Sequence, residues 1–132
     1  MARYVFSGEV ASGKGQGKIF TRAEWVRAAF QDLLAIDPWP GTFNLRVSDQ
    51  ASRAAWAELN AASGLLLEAP DPAWCNGRCY AARLVQGDIR AAIIVPEVAG
   101  YPPDQVEIVA AVSIRQALGV GDMDRVEVEV TA

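Results

Sequence analysis

Short β-type runs outnumber helical segments in this chain, and that imbalance limits the folds open to it. Strand-like runs cover Tyr4 to Val10, Thr42 to Val47, Gly64 to Ala69, Arg78 to Val85, Ile89 to Val95, Val106 to Val109 and Arg125 to Val130. They alternate in polarity, or are short apolar stretches bounded by turn residues. Helical signals occur at only three places. A doubly wound α/β sheet needs a crossover helix for nearly every strand. Six or seven strands with two or three helices fit a small closed barrel whose ends are filled by the helices.

The helical segments are marked by their punctuation. Thr21 and Glu24 have the spacing of a capping box, and Phe20 and Trp25 that of a hydrophobic staple. Trp25, Ala29 and Leu33, with Val26, Phe30 and Leu34 beside them, repeat at helical period, and Asp37-Pro38 is the expected stop. Core packing explains this aromatic stripe. Residues from Asp49 to Ala62 form a second, alanine-rich segment, with Gly64 expected to stop it from the C′ position. Ser113 to Leu118 is a short third one, with Gln116 completing a second capping box and Gly119 as its stop. Gln86-Gly87-Asp88 between two β-rich runs predicts a hairpin.

With 132 residues and 52% apolar content, the chain has the material for one core, and a single domain over 1–132 is expected. No run reaches the ~18 apolar residues of a membrane span. The opening Met-Ala-Arg-Tyr-Val-Phe lacks an apolar leader, so a cytoplasmic location is expected and no membrane partner. A net charge of −4 argues against nucleic acid as a partner, since that affinity comes from neutralising phosphates. No obligate protein partner is evident. The absence of histidine excludes Ser-His-Asp and Cys-His chemistry. Cys75 and Cys79, if on one strand, would be about 13 Å apart, too far for a disulfide. Two thiols without further ligands do not make a zinc site, so both are expected to be reduced.

Three segments carry candidate chemistry. In Ser12-Gly13-Lys14-Gly15-Gln16-Gly17-Lys18, glycines allow successive N–H groups to converge on an anion and two lysines add charge. The spacing is neither a Walker A loop nor a dinucleotide fingerprint, and a flexible glycine turn accounts for the same letters. In Pro40-Gly41-Thr42-Phe43-Asn44-Leu45, strand alternation sets Phe43 and Leu45 on one face and Thr42 and Asn44 on the other. A hydroxyl and a carboxamide are neutral oxygen donors suited to Mg²⁺ whose charge is balanced by phosphate; the polar outer face of a strand reads the same way. In Val106-Glu107-Ile108-Val109, Glu107 is a lone acid between apolar neighbours, either a site carboxylate or a solvated one. It is followed by Ser113 and Arg115 at a helix start, where free N–H groups favour anions, or where Arg115 is a plain surface charge.

In sequence order, GEVxSGxGxGKxF, PGTxNL, and VEIVA followed by SIR resemble the archaeal-type CTP-dependent riboflavin kinases from about Phe6 to Val130. PGTxNL and GxGxG are the most specific pieces, and Asp49 to Asn76 matches poorly. The resemblance implies a mainly β, α+β fold: a six-stranded cradle-loop barrel, riboflavin-synthase-like, with two or three short helices. It implies transfer of the CTP γ-phosphate to the riboflavin 5′-hydroxyl, with riboflavin, FMN, CTP and CDP as small-molecule partners. It assigns the nucleotide to Gly13, Lys14, Gly15, Gln16, Gly17 and Lys18 and to Val112, Ser113, Ile114 and Arg115. It assigns Mg²⁺ to Thr42 and Asn44, and the flavin to Ala99 and Glu107. Ala99 is a departure, standing where the family has a threonine against the flavin phosphate.

Lys14 or Lys18 would hold phosphates, and Glu107 would orient the acceptor hydroxyl or take its proton. The alternatives are a CTP-dependent kinase of another hydroxylated molecule, a non-catalytic flavin or nucleotide barrel, and a DNA-binding barrel relative. Retention of both Thr42 and Asn44 argues against a mere sensor, and the acidic balance against DNA.

Overall fold

The computed structural model describes residues 2–12, 21–62, 64–70 and 72–131. Seven strands run in chain order: β1 (Arg3–Ala11), β2 (Phe43–Arg46), β3 (Leu65–Leu67), β4 (Gly77–Leu84), β5 (Ile89–Pro96), β6 (Gln105–Ala110) and β7 (Arg125–Thr131). Among the described residues the longer helices are α1 (Glu24–Leu34), α2 (Gln50–Asn60) and α3 (Ile114–Leu118), with a 3-10 turn at Gln86–Asp88. The sheet order is β3-β4-β5-β6-β2-β1-β7, and a further β4–β7 pairing closes six strands into an antiparallel barrel with β3 outside. The expected six-stranded barrel is thus the fold, and among the described residues β3 is the strand left outside the closure.

Strand alternation builds the interior. Val126, Val128 and Val130 of β7 point inward with Tyr80, Ala82 and Leu84 of β4 and Ala91, Ile93 and Val95 of β5. Phe6 and Val10 of β1, Phe43 and Leu45 of β2, and Val106 and Ile108 of β6 complete the lining. Helices fill the barrel through Trp56 and Leu59 of α2 and Ile114 of α3. The Trp56 indole N–H donates to the Pro103 carbonyl at 3.1 Å, which satisfies its polar atom under an apolar load. A second cluster lies outside the barrel wall. There Val26 and Phe30 of α1 cover Cys79, Ala92, Ile94 and Val109. Cys75 is exposed, Cys79 is buried, and both are free, as expected.

The helix ends correct three details of the sequence reading. Thr21 does not cap α1, whose N-cap is Ala23 without a side-chain bond. The Thr21 hydroxyl instead accepts the Gly41 N–H at 2.8 Å, a tertiary partner that outcompetes the local one. Phe20, the other half of the expected staple, lies outside the described residues. Helix α1 stops before Asp37-Pro38 because Ala35 turns left-handed at φ 52°, with the Ile36 N–H returning to the Phe30 carbonyl at 3.2 Å. Arg90 of β5 supports this stop by donating to the Leu34 and Ala35 carbonyls. Gly64 is not a left-handed stop after α2, whose C-cap Ala61 is right-handed. Glycine is needed there for closeness, since a Cβ would come within 2.9 Å of the Cys79 carbonyl oxygen. The third helix keeps its expected cap, with Ser113 Oγ accepting the Gln116 N–H and Gly119 left-handed at its end.

Candidate active site

Register brings the polar letters of β1, β2 and β6 together. Asn44 pairs with Glu107 across β2 and β6, and with Ala11 across β1 and β2. The neighbours of Asn44 and Glu107 point into the barrel, so both residues belong to the outer row. Further along that row, Val109 passes under α1. The polar pair therefore sits at the border of the α1 cover. The strand itself starts at Phe43, and Thr42 is the last residue of the preceding turn.

That turn is fixed from two sides. The Trp39 N–H donates to the Ala110 carbonyl at 2.8 Å, and the Gly41 N–H donates to Thr21 Oγ1 at 2.8 Å. Gly41 has φ 100°, which a side chain would strain. Thr42 is thereby set beside Glu107, and its hydroxyl donates to Glu107 Oε1 at 3.1 Å. The Asn44 Nδ2 donates to the Thr42 carbonyl at 3.2 Å. With the amide N–H group committed, Oδ1 is the atom Asn44 has left for a cation. Thr42, by giving its proton to Glu107, likewise keeps its lone pairs for one. This donor set is hard, oxygen-only and sparse. Among the described residues no group of three His, Cys, Asp or Glu side chains gathers to hold a metal. Few protein oxygens with room for phosphate and water is the pattern that suits Mg²⁺, so the residues fit that ion.

Glu107 has a second partner that the sequence reading missed. The Tyr101 hydroxyl donates to Glu107 Oε2 and accepts from Gln105 Nε2 at 3.4 Å. Burial, and then the bond to Glu107, push the Tyr101 phenol well above its ordinary range, so it stays a protonated donor. Ala99 is exposed in the turn that leads to it, closed by the Tyr101 N–H to the Val98 carbonyl at 3.3 Å. Tyr101 and Gln105 also line a cleft of ≈ 330 Å³ with Trp56, Arg78, Glu97 and Pro103. No spacing rule links Tyr101 to Glu107, because a loop and a strand meet there. The one available signal was an aromatic residue amid Pro-Pro and Gly in an otherwise small-residue loop.

The second segment expected from the sequence to meet an anion, Val112 to Arg115, is only partly side-chain accessible. Val112 is exposed, but Ile114 is 4% exposed and packs in the barrel core, so only its backbone is left to meet a ligand. Ser113 Oγ is engaged by the Gln116 N–H at 3.4 Å. Arg115 donates to Asp122 Oδ1 at 2.7 Å and to the Ala11 carbonyl at 3.4 Å. Ser12 Oγ donates to the same Asp122 at 3.1 and 3.2 Å. Arg115, and then Ser12, hold the Asp122 carboxyl below its usual range. This cluster, unforeseen from the sequence, joins α3 to the end of β1.

Gly13, Lys14, Gly15, Gln16, Gly17 and Lys18 lie outside the described residues. Their flanks do not. Ala11 pairs with Asn44 on one side, and Thr21 binds Gly41 on the other. Ala11 and Thr21 thus both meet the stretch from Gly41 to Asn44.

Comparison with known proteins identifies relatives of the chain. The model of the family CTP-dep_RFKase, described as "Domain of unknown function DUF120", matches residues 10–130. A protein named riboflavin kinase from Pyrobaculum islandicum is 36% identical over 129 residues, covering 94% of this chain and 59% of that protein. Proteins of the same name from Methanocella arvoryzae and Archaeoglobus fulgidus are 37% and 34% identical, covering 94% and 93% of this chain. They are covered over 56% and 53% of their own length, so the chain spans little more than half of these relatives. Among the described residues no helix is long and apolar enough to cross a membrane.

Proposed function

This chain belongs to the CTP-dep_RFKase family, and on that premise we propose that its barrel transfers the γ-phosphate of CTP to the terminal ribityl hydroxyl of riboflavin, giving FMN and CDP. The observation that carries the reading is the carboxylate of Glu107, held by the Thr42 hydroxyl at 3.1 Å beside Asn44, where β1, β2 and β6 meet. Phosphoryl transfer asks for positioning and charge neutralisation more than covalent work. Thr42 and Asn44 are the residues that would hold Mg²⁺, which when bound would neutralise charge on the phosphate oxygens.

The remaining roles fall to this chain's own groups. Backbone N–H groups of Gly13 to Lys18, with Lys14 or Lys18, hold phosphates of the nucleotide. Val112, Ser113 and Arg115 also contact it, Ile114 through its backbone alone. Glu107 accepts the hydrogen bond of the acceptor hydroxyl and orients its oxygen toward the phosphorus. A cleft of ≈ 330 Å³ lies on the Tyr101 side of Glu107, within the usual size of small-molecule sites. We assign the acceptor's ring system to it, and the ribityl chain to the path past Ala99. Loss of one hydroxyl at Ala99 removes a neutral hydrogen bond worth roughly 0.5–1.5 kcal/mol, which weakens product binding without abolishing recognition.

The test is direct. Incubation with riboflavin, CTP and Mg²⁺, followed by mass spectrometry, is expected to give FMN. CTP at ~100 times its dissociation constant is expected to stabilise the fold by about 2.7 kcal/mol, and ATP by less. Equal thermal shifts with CTP and ATP would remove the donor assignment. No FMN from folded, CTP-binding protein would replace riboflavin by another alcohol.

A further inference from the structure

We propose that Tyr101 is a positioning residue: by holding Glu107 Oε2 it leaves Oε1 to orient the Thr42 hydroxyl, with that hydroxyl's lone pairs turned toward the phosphate-bearing side. This rests on the phosphotransferase reading above. Three bonds form the chain, each with its donor settled by chemistry. Gln105 Nε2 has only protons to give, so the Tyr101 oxygen accepts from it at 3.4 Å. The Tyr101 proton then goes to Glu107 Oε2. The Thr42 proton goes to Glu107 Oε1 at 3.1 Å. A carboxylate bound at both oxygens by hydroxyls on two different elements cannot rotate freely, and a hydroxyl that must donate to it has its lone pairs aimed elsewhere.

The geometry is built for this. Glu107 is fixed at its base by pairing with both Asn44 and Ile94 on the neighbouring strands. Its side chain leaves the strand on the outer row, half-buried, beside the row that α1 covers at Ile94 and Val109. Without Tyr101, water replaces the Oε2 partner and the carboxylate gains rotamers. The Tyr101 turn is in its place because the Tyr101 N–H is held by the Val98 carbonyl and the Gln105 N–H by the Pro102 carbonyl, each at 3.3 Å. The loop also lines the cleft, so Tyr101 links occupancy of that cleft to the state of Glu107. An acceptor ring pressing on Tyr101 thereby reports to the residue that orients its own hydroxyl.

The experiment is a double-mutant cycle with Tyr101→Phe and Glu107→Gln, read by FMN formation, together with crystal structures of the wild type and Tyr101→Phe. Phenylalanine keeps the ring and its packing and removes only the hydroxyl. Tyr101→Phe is expected to lower kcat on the order of tenfold, with the KM for CTP within about twofold. In the Glu107→Gln background the same change is expected to alter kcat by less than about twofold, since Tyr101 acts through Glu107. The Glu107 carboxylate is expected to leave its wild-type position in the Tyr101→Phe crystal. Full additivity of the two substitutions, or a Glu107 that stays in place without the phenol, overturns the inference. If the wild type makes no FMN, the functional reading is what fails, while the crystal pair still decides whether Tyr101 positions Glu107.

Discussion

Strands β2 and β6 present two faces with opposite tolerances. Inward, Phe43, Leu45, Val106 and Ile108 are all but sealed and join the barrel core. Outward, one residue away in each case, Asn44 and Glu107 pair across the strands and hold polar partners. The same backbone therefore serves stability on one side and carries the candidate site on the other. Its period of two keeps the functions from interfering. A rigid strand is also a more exact holder for a carboxylate than a loop would be.

Substitutions on the two faces should separate cleanly. The largest effect is expected from Asn44→Ala, which lowers kcat/KM on the order of 10³-fold, equivalent to about 4 kcal/mol of transition-state stabilisation. Its stability cost is limited to the one hydrogen bond to the Thr42 carbonyl, about 1 kcal/mol. Steady-state kinetics and urea unfolding on the same preparation check both halves. Near-normal turnover at limiting Mg²⁺ would show that the outer face does not hold the metal.

Ile108→Ala should do the reverse. Ile108 is fully buried in the barrel interior, and losing its side chain is expected to cost about 3 kcal/mol by transfer and cavity terms. Activity per folded molecule should remain within a few-fold of the wild type. If turnover of the folded fraction falls as far as in Asn44→Ala, the two faces are coupled and the comparison breaks.

A smaller effect tests the end of the barrel that α2 fills. Asp49 caps α2 by accepting the Ser52 N–H at 2.9 Å, and it also meets Arg125 at 2.9 Å. The Ser52 N–H first, then Arg125, lower its pKa from 3.8 to about 2. A depressed carboxyl stabilises the fold above its unfolded value and stops doing so as pH falls through its folded value. The contribution is thus whole above about pH 4 and drains toward about pH 2. Asn caps helices comparably without titrating, so Asp49→Asn is expected to flatten stability against pH in that window. Unfolding midpoints measured from pH 5 to 2 give the slope, and an unchanged slope would assign the acid sensitivity to other carboxylates.

Much of the fold was legible because local chemistry repeats it. The Val126 to Val130 alternation could bury its valines only as a strand, and Ser113 with Gly119 marked both ends of α3. The order of the motifs was legible too, since GxGxG, PGTxNL and VEIVA carry the family pattern. Helix boundaries were less so. Thr21 has the letters of a cap, but letters do not say that Gly41 will offer it a backbone N–H from 20 residues away. Gly64 looked like a helix stop, and the reason for glycine there is the closeness of β4.

The sequence by itself determined which residues alternate, where the chain turns, and that one segment carries an oxygen pair and another a lone acid. Only the tertiary structure decided that β4 pairs with β7 to close the barrel, that Asn44 faces Glu107, and that Tyr101 reaches the same carboxylate. It alone tied Arg115 and Ser12 to Asp122 and turned Ile114 into the core. The physical reason is one of range. Propensity, capping and alternation act between residues a few positions apart and leave a mark at that spacing. A contact between a loop and a strand, or between two strands far apart in the chain, depends on which closed arrangement buries the most apolar surface at once, and no single segment carries that information.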